Sequence, residues 1–268
     1  DNHQLSLTAF GAPQTHNQRK PLYAGLSIEE WDKVAKWTGE KNKYRYNAVY
    51  GFDNNGKERS SMTNTYHKPQ ISLNHQWQID HKSSLSTALY MSIGRGSGYS
   101  GQGRTSAYRS MWNGSSNGQL LYNFRKEDGT FDYAAIQEMN AASETGSNMI
   151  MSKSNNNHMW YGLLSTYTNE LLPGLELSAG VDVRYYVGEH TNEIIDLYDG
   201  AYFIDDADRK NVKPENNIAA LDPNWKYEKL SVGDIVYRDY DGHVHQEGVF
   251  AQLEYSINKI NAFVSGSL

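Results

Sequence analysis

The chain has 268 residues, 25 basic and 31 acidic side chains for a net charge of −6, and no cysteine. Disulfides and thiolate metal sites are excluded, and the acidic balance argues against nucleic acid, which wants a broad basic patch. Mean hydropathy is −0.73; no apolar run is long enough for a transmembrane helix, but a membrane β-barrel signals itself by alternation and escapes that test.

Residues 3–10 (HQLSLTAF) predict the first strand, with Leu5, Leu7 and Ala9 on one face. A long polar stretch follows, about 11–66. Inside it, 27–38 (SIEEWDKVAKWT) places Ser27 and Glu30 at capping-box spacing and Trp31, Val34 and Ala35 on one face, which predicts a short helix. The second strand, about 67–80, sets Ile71, Leu73, His75, Trp77 and Ile79 against Ser72, Asn74, Gln76 and Gln78. The third, 83–94, sets Leu85, Thr87, Leu89, Met91 and Ile93 against Ser84, Ser86, Ala88, Tyr90 and Ser92. A second long loop, about 95–157, contains a predicted helix over 131–142. Strands at 158–171 and 175–189 flank Leu172-Pro173-Gly174, and a third loop runs over about 190–245. The last two strands, 246–257 and 260–268, are joined by Asn258-Lys259.

The clearest strand is 175–189 (LELSAGVDVRYYVGE). Leu175, Leu177, Ala179, Val181, Val183, Tyr185 and Val187 alternate with Glu176, Ser178, Gly180, Asp182, Arg184, Tyr186 and Gly188. Thirteen such residues reach about 43 Å, and tilted by about 40° they cover roughly 30 Å, slightly more than the apolar band of an outer-membrane barrel. Tyr161 and Tyr185 share the apolar phase near the long loops; Trp77, Tyr167 and Tyr255 share it near the short turns, as two aromatic girdles would. Short turns and long loops alternate strictly along the chain, which gathers each kind at one end. A soluble β-sandwich would also alternate, but strand length and loop asymmetry favour the barrel. The expected fold is all-β: an antiparallel meander of about seven long transmembrane strands.

Chemistry-bearing patterns are few. Residues 96–101 (GSGYSG) match G-x-G-x-x-G, but no helix opens after them, so a mobile glycine-rich loop carrying Arg95, Arg104 and Arg109 is expected. Residues 239–245 (DYDGHVH) offer two aspartates and two histidines without a third ligand at fixed spacing, and Asp241-Gly242 reads as a turn. Asp205, Asp206 and Asp208 lack the later glycine and twelfth-position glutamate of an EF-hand and read as a solvated acidic loop. No nucleophile, base or metal constellation stands out, so neither catalysis, a metal nor a cofactor is expected. Candidate ligand contacts are the loop residues Tyr99, Arg104, Tyr108, Trp112, Tyr202, Phe203 and Trp225. The plainer reading of the rings is that they fill small cores within the loops. Glu176, Asp182, Arg184, Gln252 and Glu254 lie on the wet face, which in a barrel is the lumen.

Several stretches resemble the barrel of TonB-dependent outer-membrane receptors: LTAFGAPQTHNQR (7–19), NHMWYGLLSTY (157–167), GVDVRYY (180–186), GVFAQLEYS (248–256) and AFVSGS (262–267). The resemblance implies part of a barrel of roughly 22 strands. It implies residence in the cell outer membrane and active uptake of a scarce nutrient: chelated iron, cobalamin or a glycan. The implied partners are outer-membrane lipid, the remaining strands and plug domain of the same receptor, the TonB complex, and a small-molecule or glycan ligand. The family's plug, coupling box and aromatic-ended last strand have no counterpart in these residues, so an internal segment of the barrel is expected. The alternative is a soluble β-sandwich that binds glycans.

Overall fold

The computed structural model describes residues 2–20 and 25–268. Seven strands form an antiparallel meander in chain order: β1 (His3–Phe10), β2 (Gln70–Gln78), β3 (Ser83–Gly103), β4 (Met149–Leu172), β5 (Leu175–Asp196), β6 (Ile235–Ile257) and β7 (Ile260–Ser267). Two short strands, Gln14–Asn17 and Thr63–His67, complete a nine-stranded sheet. They continue β1 and β2 without a slip in register: Ala9 faces Ile71, and Thr15 faces Thr65. The breaks fall at Pro13 and Pro69, which have no N–H to give to a ladder.

Alternation holds across the sheet. One row runs Leu7, Leu73, Leu89, Leu163 and Val183; another runs Ser165, Val181 and Val249. The tight connections share one end. Asp80 accepts the N–H groups of Lys82 and Ser83 at 2.8 and 2.9 Å. Gly174 takes φ +79°, and a Cβ there would lie 2.3 Å from the Ser256 carbonyl oxygen, so the turn needs glycine twice over. No second sheet covers the apolar face among the described residues; the other two sheets are small ribbons of three and two strands within the loops. The sandwich arrangement is therefore not the one adopted.

The strands run further than alternation predicts. β3 continues to Gly103, β4 starts at Met149, β5 ends at Asp196 and β6 starts at Ile235. The apolar phase stops where these extensions begin, at Lys153-Ser154-Asn155-Asn156-Asn157 for example, so the pattern is silent although the hydrogen-bond ladder goes on. The GSGYSG segment is thus strand, not a mobile loop. Its glycines admit close neighbours: a Cβ on Gly101 would stand 2.1 Å from the Trp112 ring. DYDGHVH is strand as well. Asp241 faces Glu189 and Gly242 faces Gly188 inside the β5–β6 ladder, so the expected turn is absent.

The buried apolar residues sit in the loops and the strand ends beneath them. Trp112, Phe131, Tyr133, Ile136, Met149, Met151 and Tyr198 form one core. Leu26, Val34, Tyr46, Ala48 and Leu120 form a second, and Ile150, Ile194, Phe203, Leu230 and Val236 a third. By contrast Leu89 on the apolar face is 49% exposed and Val181 39%. Both predicted helices form, as α1 (Ile28–Thr38) and, after α2 (Ser106–Met111), as α3 (Tyr133–Ala141). Ser27 accepts the Glu30 N–H at 3.3 Å, half of the capping box. The Glu30 side chain is buried and turns elsewhere, accepting from Lys33 Nζ and the Tyr122 hydroxyl, each at 2.7 Å.

Candidate functional site

The five wet-face residues share one surface of the sheet. Glu176 faces Glu254, Ser178 faces Gln252, and Asp182 and Arg184 face Leu164 and Gly162. Around Arg184 this surface carries a cluster built from three strands. Arg184 Nε donates to the Tyr90 hydroxyl at 3.2 Å, and Tyr90 donates to Asp182 at 3.4 Å. The guanidinium lies 5.4 Å from the Trp160 ring centre and 3.7 Å from the Asp182 carboxylate. Tyr90 and Trp160 meet edge to face at 5.5 Å. Phe10 joins them around a hollow of about 270 Å³. Nearer the loops on the same face His158 repeats the mixture: its ring stacks on Tyr186 at 6.0 Å and lies 3.2 Å from the Ser92 hydroxyl. A guanidinium held by a carboxylate and a phenol, over an indole, suits a planar or anionic group, or the side chains of a packed partner.

Tyr90, Trp160 and His158 are not among the residues expected from the sequence to form a site, since polar parity alone does not single them out. Their signal is visible: each falls on the same parity as Asp182 once β3, β4 and β5 are aligned.

The loop candidates separate by what they touch. Trp112 is 3% exposed and gives its Nε1–H to the Gln102 carbonyl at 2.9 Å, as a core residue. Tyr108 packs against the same core. Arg104 donates to the Thr145 carbonyl at 2.6 Å and clips the second loop together. Tyr202 lies 4.5 Å from Lys229 Nζ, Trp225 lies under the Arg209 guanidinium at 4.6 Å, and Phe203 is fully buried. Tyr99, on β3, is 39% exposed and lines an open cavity. Most of these rings fill loop interiors; they do not converge on one site.

The acidic trio is not a solvated loop. Asp205 is 2% exposed and accepts the N–H of Tyr237 at 2.9 Å, where φ of +70° marks a bulge in β6. Burial pushes the Asp205 carboxyl up to about 7; the Tyr237 N–H opposes this, while neighbouring Asp208 adds to it. Asp208 is in turn paired with Arg109 of α2, which ties the second loop to the third. An unfolded aspartate releases its proton near pH 4, so between about pH 4 and pH 7 the folded chain holds more protons. Stability of the third loop should therefore fall as pH rises through that window and level off above it. Hydrogen exchange over 197–234 at pH 5 and pH 8 measures this after correction for intrinsic rates. Asp205→Asn keeps the Tyr237 acceptor and should flatten the dependence; an unchanged slope in that variant would exclude Asp205 as its source.

No protein-family model matches the chain, and no curated protein matches it. Among solved structures it is similar to the closed form of the ferric-catecholate import receptor Fiu from E. coli K12, with a TM-score of 0.42 and 9% identity. The match covers 98% of this chain and 31% of that one, so the chain spans about a third of that receptor's length. At this similarity the functional reading rests on the geometry.

Proposed function

We propose that this chain forms part of the wall of a transmembrane β-barrel, within an outer-membrane receptor of the TonB-dependent class that takes up a scarce nutrient. The observation that carries the reading is the two-faced sheet. One face presents Leu73, Leu89, Ile93, Val181, Val183 and Leu253 with no protein over them among the described residues, and the other presents Asp182, Arg184, Gln252 and Glu254. An exposed apolar surface of that extent is costly in water and ordinary in lipid. Short turns at one end and folded loops at the other support the same orientation, with the loops on the outer side of the cell. In this reading the wet face is the lumen wall. Arg184, Trp160 and Tyr90 then meet the plug or a passing ligand, and the protein's role is transport, not catalysis.

Two substitutions test the facing. Val181→Arg places a charge on the lipid side and is expected to cost about 2–4 kcal/mol if the residue lies at the midplane. Gln252→Arg, on the wet face beside Ser178 and Ser265, should be tolerated. The readout is the amount of full-length receptor assembled in the outer membrane, scored by heat-modifiable migration. Equal impairment by both variants would refute the assignment of faces.

A further inference from the structure

The outward face does not become featureless above its apolar band. Thr15, Thr65, Ser97 and Asn155 form one cross-strand row, and Tyr99 and Lys153 face each other in the next. All six keep the phase of Ile71, Leu89, Ile93 and Met159, so they point to the side that the proposed function gives to lipid. The hairpin Tyr50–Phe52 and Glu58–Ser60 overhangs these rows and borders an open cavity of about 640 Å³. An adjoining hollow of about 510 Å³ shares Thr15, Thr65, Ser97 and Lys153 and reaches down to Arg95, two residues above Ile93.

The charges are committed unequally. Arg59 is held by Asp53 at 2.9 Å and Asp196 at 3.2 Å. Burial works against the Asp53 charge, but the Lys57 N–H, Arg59 and the Asn55 N–H outweigh it and keep the carboxyl below its usual range. Arg95 meets Glu189 at 3.5 Å, both well exposed. Lys57 and half-buried Lys153 make no ion pair among the described residues, and Glu193, opposite Lys153 in the ladder, is not within ion-pair distance. The trough thus offers two ammonium groups free of ion pairs among the described residues, a row of hydroxyls and one exposed phenol ring, beside the Glu58 carboxylate, which accepts from the Tyr50 hydroxyl at 2.8 Å.

Height identifies the occupant. Ser97 and Tyr99 lie four and six residues beyond Ile93, about 13–20 Å along the strand and about 10–15 Å along the membrane normal at a tilt near 40°. An ordinary phospholipid head group extends only about 5–8 Å beyond the hydrocarbon. We propose that the trough holds the phosphorylated sugar head group of an outer-leaflet glycolipid, with Lys57 and Lys153 on phosphate and the hydroxyls and Tyr99 on the sugar rings. This rests on the barrel reading, which fixes which face meets lipid.

The test uses the full-length receptor in detergent, titrated with lipopolysaccharide carrying core phosphates, with the same lipid after phosphatase treatment, and with inorganic phosphate. Lipid retained per receptor is the readout. Lys57→Gln with Lys153→Gln should weaken binding of the phosphorylated lipid about 10-fold or more, and Lys57→Arg with Lys153→Arg should restore it. Phosphatase treatment should weaken wild-type binding to a similar degree, and inorganic phosphate should not displace the lipid. Binding indifferent to both lysines, or displaced by inorganic phosphate, would overturn the proposal while leaving the barrel intact. A wild-type receptor that partitions into the aqueous phase without detergent overturns the barrel reading instead.

Discussion

Phe131→Ala is expected to loosen the first two loops together, at a cost of about 3–5 kcal/mol, while the strands below stay paired. Phe131 is 1% exposed and touches Tyr133 edge on at 5.1 Å, with Trp112 at 6.1 Å and Phe124 at 6.4 Å. Its loss leaves a cavity that these rings cannot readily close, because each is held by its own hydrogen bond or strand. Trp112 is tied to the Gln102 carbonyl, and Tyr133 donates to the Val49 carbonyl at 2.6 Å. Both loops respond because they share a frame. Phe131 pairs with Gly51 of the first loop. Arg125 of the second donates to the Ala48 and Gly114 carbonyls, at 3.0 and 2.9 Å. Hydrogen exchange should rise over 25–62 and 104–148 and stay slow over 175–189. Leu89→Ala, on the uncovered face, removes no protein contacts of comparable extent and should leave both regions unchanged. If Phe131→Ala also released the strands, the loops and sheet would form one cooperative unit and the division into loop cores and an independent wall would be wrong.

That division explains what could be read from the sequence. Period-two alternation located all seven strands and put Val181 and Asp182 on opposite faces, because one face of each strand is mostly apolar over the band where no protein covers it among the described residues. The same signal cut the strands short. Above Ile93, Met159 and Val187 the residues facing outward are mostly polar, and pairing continues, Asn157 with Glu189 and Arg95 with His67, on hydrogen bonds that leave no trace in hydropathy. Glycine misled for a related reason. In GSGYSG it marks close approach by Trp112 and by backbone from other strands, not mobility. The capping pair Ser27 and Glu30 found α1, but its second half could not be foreseen, since Tyr122 lies far along the chain and only the fold brings it to Glu30. The wet-face cluster is an assembly of the same kind: Tyr90, Trp160 and Arg184 sit on three strands and become neighbours only through register.

The largest effect expected concerns the two outer strands. Among the described residues β1 pairs only with β2 and β7 only with β6, and each is exposed along all eight of its residues. An eight-residue edge turns about half of its backbone N–H and C=O groups away from its partner, and in hydrocarbon each unmet group costs several kcal/mol. The two edges together therefore amount to tens of kcal/mol, more than the 5–15 kcal/mol or so by which a domain is usually stable. In a membrane the sheet must either close on itself or be continued by further strands on both sides. Closure would put β1 beside β7, and seven strands is an odd count in a class of barrels built from even numbers. Continuation is the expected arrangement. These 268 residues hold no cysteine, so within them only an introduced pair can cross-link. Leu7→Cys with Val264→Cys should give no intramolecular cross-link in the assembled full-length protein, while Leu7→Cys with Leu73→Cys, neighbours across β1 and β2, should cross-link readily. The 268 residues alone should fail to yield a heat-resistant folded species in bilayers, and supplying the flanking strands should restore it. Efficient cross-linking of Leu7→Cys to Val264→Cys would mean that the sheet closes on itself, and the expected continuation by further strands would be wrong.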